Sequence, residues 1–520
     1  MTAAGPEVVT VNVALETVWD AVNDVALWPS PLDDASTVHL LRQTRDSREL
    51  EISVGTGTWV LRQTLDPGPR TTDPAARTTT FGVRDAAAST AGWQRLVLRA
   101  VPGGTELRSE TEGDPPPLTL PVARLAEQLR DVPAPAPVDD PRAAARGLAD
   151  QIAASAARHC RAHTLSGGLV AQLRAAGLYT MGLPRSLGGR QSDFRTIVDV
   201  VEELSRADGA TGWHVLTGNT NAFLAWLDPA VAKGLLAGAP SPALAGSTAP
   251  NGRGTRREDG GFRVSGRWPL CSGSTHAGVL MAGFLVDGDP PGPGPLPPAR
   301  VGFFPAEAAT LLGTWRPMGL EATGSHDLEL AGLDIPAEAT AAPHVEPARH
   351  DGELYRLTPY NILMVLLAGF PLGIMRRAVD DATALARTKF RAGSRSPMID
   401  DPETVSTLLD AESALRAARA LVHETFDEAW QALAAGDQLS DRQRAAIAMA
   451  AGHALRRGRE VATAMLRLGG TGALNLDHPL QRCLRDVHAA GQHVGFGDDL
   501  RQRVGRTFLG LETSPALHQV

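Results

Sequence analysis

The sequence predicts an α+β protein in two units, an antiparallel sheet wrapped on helices followed by a longer body in which helices flank a second sheet. Three observations predict it. Apolar and polar residues alternate through much of residues 6–118, a stiff proline-rich stretch PAPAPVDDP follows at Pro133–Pro141, and beyond it the texture runs helix to about residue 236, strand from 242 to 338, and helix again to about 490. Domains are expected at 1–132 and 143–520, joined by a linker over 133–142. The second divides into a helical part (143–241), a middle β part (242–340) and a C-terminal helical part (341–520).

The totals agree with a chain of this kind. At 520 residues it exceeds one ordinary core. Lys+Arg number 50 and Asp+Glu 58, a net charge of −8 with no basic stripe, which argues against nucleic acid and for a small-molecule partner. Cys160, Cys271 and Cys483 are far apart and form no CxxC, so neither a disulfide framework nor a metal knuckle is expected, and the setting is read as reducing and cytoplasmic. The start MTAAGPEVVTVN lacks the basic and apolar regions of a secretory signal. The most apolar run, Tyr360–Met375, carries Pro371 and falls short of the roughly 20 residues that span a bilayer, so it is read as a buried helix.

In the first unit RELEISV, TGTWVLRQTL, RTTTFGV and GWQRLVLRAVPGGTELRSETEG read as strands, with a hairpin turn at Pro102–Gly104. Ala14–Trp28 reads as a helix, with Val18, Ala21, Val22 and Val25 at helical spacing. In the last third, Asp401-Pro402-Glu403 supplies a cap, a first-turn proline and a first-turn acid. Leu408, Ala411, Leu415, Ala418, Val422, Phe426, Ala429 and Leu433 then continue one apolar stripe, and Ser440 with Gln443 forms a capping box for the next helix.

The opening VTVNVALETVWDAVNDVALWPS resembles the polyketide cyclase and START-like superfamily. That resemblance implies a helix-grip fold, with a curved sheet around a C-terminal helix, here Leu118–Val132, and a cavity that Trp59, Arg62, Phe81, Trp93 and Arg95 would line. No general acid/base pair is evident from spacing there, so the unit is read as binding, or cyclising, its ligand.

Residues 143–515 resemble the acyl-CoA dehydrogenase fold. The resemblance rests on LRAAGLYTMGLPRSLGG, VVEELSRADGATGWHV, FRVSGRWPLCSGSTHAGVLMAG, WRPMGLEATGSHDLELAGLDIPAE, LARTKF and LGGTGALNLDHPLQRCLRDVHAAGQH. It implies a helical bundle, a middle sheet and a C-terminal four-helix bundle. In the dehydrogenases a catalytic Glu commonly lies eight residues after the Asp of the RD motif; here that place is Val494, which cannot take a proton. His493 stands one residue earlier, and RDVHAAGQH is similar to the segment in two-component flavin-dependent monooxygenases.

That resemblance implies reduced FAD or FMN supplied by a separate NAD(P)H:flavin reductase, O2 as co-substrate, and oxygen transfer through a flavin C4a-hydroperoxide. His493 would be catalytic, a base titrating near pH 7 on the same helical face as Ala489 and Ala490. His488, five residues earlier and about 140° around a helix, could not share one metal with it, and no metal is expected. Ser272 falls where a hydroxyl meets the flavin N5 edge, with Gly273 and Ser274 beside it. Arg387 matches an Arg that contacts the flavin diphosphate of a neighbouring subunit. Trp213 and Asn221 are expected at the substrate pocket. Cys271 is read as buried, and Arg485 and Asp486 as bundle or interface ion pairs. No GxGxxG follows a strand, so no NAD site is expected in the chain.

The function expected from these readings is hydroxylation of a polycyclic aromatic, polyketide-type intermediate of bacterial secondary metabolism, such as antibiotic biosynthesis, by a homodimer or homotetramer. Two others remain open: N-hydroxylation of an amino sugar or amine, and a non-redox cyclase whose flavin-fold domain is a scaffold.

Overall fold

The computed structural model describes residues 139–289 and 299–511 with their side chains, and the backbone of strands between residues 7 and 112. Those strands are β1 (Glu7–Val11), β2 (Ala35–Gln43), β3 (Ser47–Val54), β4 (Gly57–Leu65), β5 (Ala76–Asp85), β6 (Ala91–Val101) and β7 (Gly104–Glu112). They pair antiparallel in the order β1-β7-β6-β5-β4-β3-β2, and the β6–β7 hairpin closes at Val101↔Gly104. The helices expected at 14–28 and 118–132, the turn at 102–103, and the side chains of Trp59, Arg62, Phe81, Trp93 and Arg95 lie outside the described residues.

From residue 140 the first helices start where a short polar side chain accepts an orphan amide. Asp140 caps α1 (Pro141–Ala162), Ser166 caps α2 (Gly167–Ala175), Asp193 caps α3 (Phe194–Ala207) and Asp208 caps α4 (Gly209–Gly218). A 3-10 run, Asn219–Trp226, leads to α5 (Pro229–Ala237). The sheet that follows comprises β8 (Leu244–Arg256), β9 (Phe262–Cys271), β10 (Val279–Val286), β11 (Ala299–Pro305), β12 (Thr310–Leu312), β13 (His326–Ile335) and β14 (Thr340–Ala341), ordered β12-β13-β9-β8-β10-β11-β14. Only β8 and β10 run parallel within it. Its edge strand β12 also pairs with β2 at Leu311↔Gln43 and Leu312↔Arg42.

The C-terminal part is α6 (Pro359–Thr388), α7 (Pro402–Ala434), α8 (Asp441–Gly469), α9 (Pro479–Ala490) and α10 (Asp498–Phe508). α7 buries the apolar stripe read from sequence, and Ser440 with Gln443 forms the capping box at the start of α8. α6 is long and apolar enough to cross a membrane, yet it is mostly buried, packed between α3, α7 and α8. It contains Pro371, so one ladder bond is missing there.

α3 and α6 touch backbone to backbone because α6 carries glycine at two facing positions. A Cβ at Gly369 would stand 2.4 Å from the Val198 carbonyl oxygen, and one at Gly373 would stand 2.2 Å from that of Glu202. Neither obstacle is a flexible side-chain tip that could turn aside. Gly373→Ala should therefore destabilise the protein by about 1–3 kcal/mol, outweighing the roughly 1 kcal/mol that Ala gains in helix propensity. Thermal melting checks this; a midpoint at or above that of the wild type would show that the helices can separate without loss.

Candidate active site

The site lies where α4, the end of β9, the loop before β13 and the segment after α9 converge. Trp213, on α4, is buried, and its indole Nε1–H donates to Ser272 Oγ at 3.1 Å. The same ring meets Phe370 of α6 edge-on, centroids 5.3 Å apart, and His493 at 5.8 Å. Three residues singled out in the sequence, Trp213, Ser272 and His493, are thus brought together around one indole.

Ser272 is the first member of a chain of hydroxyls whose direction follows from its far end. Thr323 Oγ1 donates to the Leu320 carbonyl at 2.8 Å. Its proton is then committed, so Ser325, 2.7 Å away, must donate to Thr323, and Ser272, 2.6 Å from Ser325, must donate to Ser325. Trp213 supplies the fourth donor. Ser272 Oγ is left with acceptor capacity only, and polarisation along such a chain strengthens each bond in it. Ser325 and Thr323, in ATGSHD, were not singled out from sequence, where nothing but proximity in space marks them.

The far end is clamped by the RD motif. Asp486 Oδ1 accepts from the Leu320 amide at 2.6 Å, and Arg485 pairs with Glu321 and reaches the Met318 carbonyl at 3.2 Å. The motif therefore grips the loop that carries the hydroxyl chain. Leu320 sits at φ 56° and Leu270 at φ 62°, left-handed backbone for two bulky side chains that bracket the site, a strain tolerated where function fixes geometry.

Gly273 takes φ 75° and donates its N–H to the Thr323 carbonyl at 2.9 Å. A Cβ there would lie 3.5 Å from His214 Nε2 and 3.6 Å from Thr217 Oγ1. His214 was missed in the sequence reading. It is buried, burial lowers its pKa to about 3, and Tyr179 OH, which makes no other hydrogen bond among the described residues, contacts Nδ1 at 2.9 Å. Donation from Tyr179 leaves the imidazole proton on Nε2, which has no partner. Ser274 Oγ and Thr275 Oγ1 are also buried without partners. Three orphaned polar atoms around a single turn are what a ring edge rich in N–H and C=O groups would satisfy, so the turn fits the pyrimidine side of a flavin.

His493 differs from expectation in two respects. α9 ends at Ala490, and His493 caps the next 3-10 turn, so it shares no helical face with Ala489 and Ala490. Gly491 and Gly495 leave room there: a Cβ at Gly491 would run into the Arg459 guanidinium, and one at Gly495 would stand 2.7 Å from Met364 Cε. Its Nδ1 accepts from the Gly495 amide at 3.1 Å, and burial lowers its pKa to about 4. It is thus a neutral imidazole with its proton on Nε2, a donor and not a base poised near pH 7. Val494, in the place of the dehydrogenase Glu, is exposed.

The remaining candidates stand apart. Asn221 is fully buried and donates to the Tyr179 and Pro242 carbonyls at 2.6 and 2.8 Å, tying two segments behind Trp213. Arg387 is exposed in the last turn of α6. Cys271 is buried, and burial pushes its thiol up to about 12, so it is no nucleophile. Asp199, Glu202 and His423 could surround a cation by distance, but Arg142 and Arg419 already pair with the two carboxylates.

The chain matches the acyl-CoA dehydrogenase N-terminal domain over residues 140–228 and the acyl-CoA dehydrogenase C-terminal domain over residues 365–497. An indole-3-acetate monooxygenase of Pseudomonas putida is 28% identical over 356 residues, 68% of this chain and 90% of that protein. The oxygenase component of an FADH(2)-dependent resorcinol hydroxylase from Rhizobium is 27% identical over 70% of this chain and 93% of its own length. Among solved structures, XiaF from Streptomyces in complex with FADH2 and glycerol superposes with a TM-score of 0.66 at 24% identity, covering 72% of this chain and 95% of that one.

Burial and the nearby Asp208 carboxylate raise Asp486 to about 7, against roughly 3.9 for a free Asp. The folded protein therefore binds this proton more tightly than the unfolded chain, and the stabilisation is complete below pH ~4 and lost as pH rises towards 7. Asp486→Asn keeps an acceptor for the Leu320 amide without the charge. Its thermal midpoint relative to wild type should climb between pH 5 and 7, by the equivalent of roughly 2 kcal/mol, and then level off. A gap constant from pH 5 to 8 would refute the raised pKa.

Proposed function

We propose that this chain, a flavin-dependent monooxygenase with the acyl-CoA dehydrogenase fold, hydroxylates an aromatic small molecule with reduced flavin delivered by a separate NAD(P)H:flavin reductase. The observation that carries the reading is the convergence of Trp213, Ser272 and His493 beside a turn with three unpartnered polar atoms. A bound reduced flavin supplies the electron pair that reduces dioxygen, one oxygen atom passing to the substrate and the other leaving as water. Ser272 Oγ, its own proton committed to Ser325, would serve as an acceptor for an N–H of the bound ring. Gly273, Ser274 and His214 complete the cradle. His493, neutral with Nδ1 occupied, would offer Nε2–H as a fixed donor for negative charge on the transferred oxygen. Trp213 and Phe370 keep water away from that donor.

The finer reading assigns the substrate to polycyclic aromatic, polyketide-type intermediates. The N-terminal unit, with the strand order of a curved antiparallel sheet, is assigned as a cyclase-like domain that binds or cyclises the same compound. Tethering the two raises the effective concentration of a poorly soluble intermediate. Arg387, exposed at the end of α6, is assigned to the flavin diphosphate of a neighbouring subunit in a homodimer or homotetramer, and the enzyme is assigned to the cytoplasm.

The test uses full-length protein, photoreduced FAD or FMN, 18O2, and a panel of phenols, indoles and polycyclic aromatics. One labelled oxygen in the product is expected; label on an acceptor nitrogen would move the reading to N-hydroxylation, and no label from any aromatic would overturn it. His493→Ala should slow labelled product formation by about 10²-fold while flavin affinity, read by fluorescence, changes little. Equal rates would remove His493 from its role.

A further inference from the structure

α8 carries the segment HALRRGRE, His453–Glu460, whose small residues Ala454 and Gly458 are buried while His453, Arg456, Arg457 and Arg459 are half-buried. Arg456 and Arg459, three residues apart, share a face. The Arg459 guanidinium lies directly on Gly491, so that a Cβ there would stand 1.7 Å from Nη2 and 2.3 Å from Cζ. Its Nε is buried without a hydrogen-bond partner. The charge of Arg501, from α10, is felt at Arg456, and that of Arg459 at His488, on α9.

These cations lack counter-charges. Arg142, Arg376 and Arg419, by contrast, each pair with a carboxylate. Arg456, Arg459 and Arg501 form no ion pair among the described residues, and Glu460, the one carboxylate near Arg456, pairs with Arg457 at 2.5 Å. The shortage is felt locally: burial, Arg501 and Arg457 lower the pKa of Arg456, burial and Arg459 lower that of His488, and burial with Arg456 and Arg457 lowers that of His453. Guanidinium groups gathered without carboxylates suit a planar or tetrahedral oxyanion, which each can grip by two N–H donors.

We propose that this cluster of Arg456, Arg459 and Arg501, whose Arg459 guanidinium rests on Gly491 two residues before His493, binds an oxyanion carried by a small molecule the enzyme handles. The group is a carboxylate on the aromatic substrate or the phosphate of the flavin. The inference deepens the oxygenase reading and rests on it for the identity of the ligand, whereas the anion site itself rests on the cluster.

Two affinity ratios test it. Calorimetry on the flavin-loaded protein compares an arylacetate with its amide, and fluorescence compares FMN with riboflavin, each repeated with inorganic phosphate as competitor. Wild type should favour the anionic member of one pair at least tenfold, and phosphate should erode that preference. Arg459→Gln should abolish it, Arg459→Lys should restore part of it, and Gly491→Ala, which displaces the guanidinium without removing charge, should weaken it. Arg501→Gln, on the exposed face of α10, gives the same readout in a variant whose folding is not at stake. Loss of the arylacetate preference assigns the site to substrate; loss of the FMN preference assigns it to the cofactor. Both ratios unchanged in Arg459→Gln and Arg501→Gln, with no competition by phosphate, would overturn the proposal. Because 18O incorporation into a neutral aromatic reads the oxygenase activity separately, unchanged ratios with label present defeat only this inference.

Discussion

A buried carboxylate, Asp486, holding the amide of Leu320 at 2.6 Å is the contact on which the site depends. The loop it holds has no regular structure of its own, and its backbone at Leu320 is left-handed, so it would relax without an external clamp. Arg485 grips the same loop from the next position, through Glu321 and the Met318 carbonyl. The adjacent pair thus acts on the sheet layer from the helical layer, and sets where Thr323, Ser325 and finally Ser272 stand.

What these residues can do is decided by which protons are already committed. One carbonyl at the end of the hydroxyl chain dictates the orientation of three O–H groups, and the outcome is a serine that can only accept. His493 is decided in the same way: the Gly495 amide occupies Nδ1, burial keeps the ring neutral, and the remaining nitrogen must be a donor. An acceptor and a donor on either side of the Trp213 indole form a complementary pair. Histidine here works through hydrogen bonding and not through titration.

Much of this was legible in the sequence, and the gaps have physical causes. α7 could be read to its caps because its apolar positions recur along one stripe and Asp401-Pro402 marks its start. β3 to β7 announced themselves by alternation, whereas β1 and β2 are preceded or followed by segments without contrast and emerged only from strand pairing. Ser272 and His493 were found through resemblance and not through pattern, since a lone Ser or His has no period. His493 was placed on a helix because Ala489 and Ala490 favour one, whereas α9 ends at Ala490 and His493 caps the 3-10 turn that follows. Thr323, Ser325 and His214 were invisible because their significance arises from contacts such as Ser272–Ser325, 53 residues apart, or from burial, neither of which spacing encodes.

The Leu320–Asp486 bond joins positions 166 residues apart in the chain, while Trp213 and Ser272 are separated by 59. Contacts of such long range form late, since the intervening polymer must first be ordered. A ribosome that has released α8 but not α9 has made every strand of the middle sheet and none of its clamp. The hydroxyl chain is consequently set only once α9 has docked, and a product that stopped after α8 would hold most of the described hydrophobic core while Ser272 lacked its fixed partners.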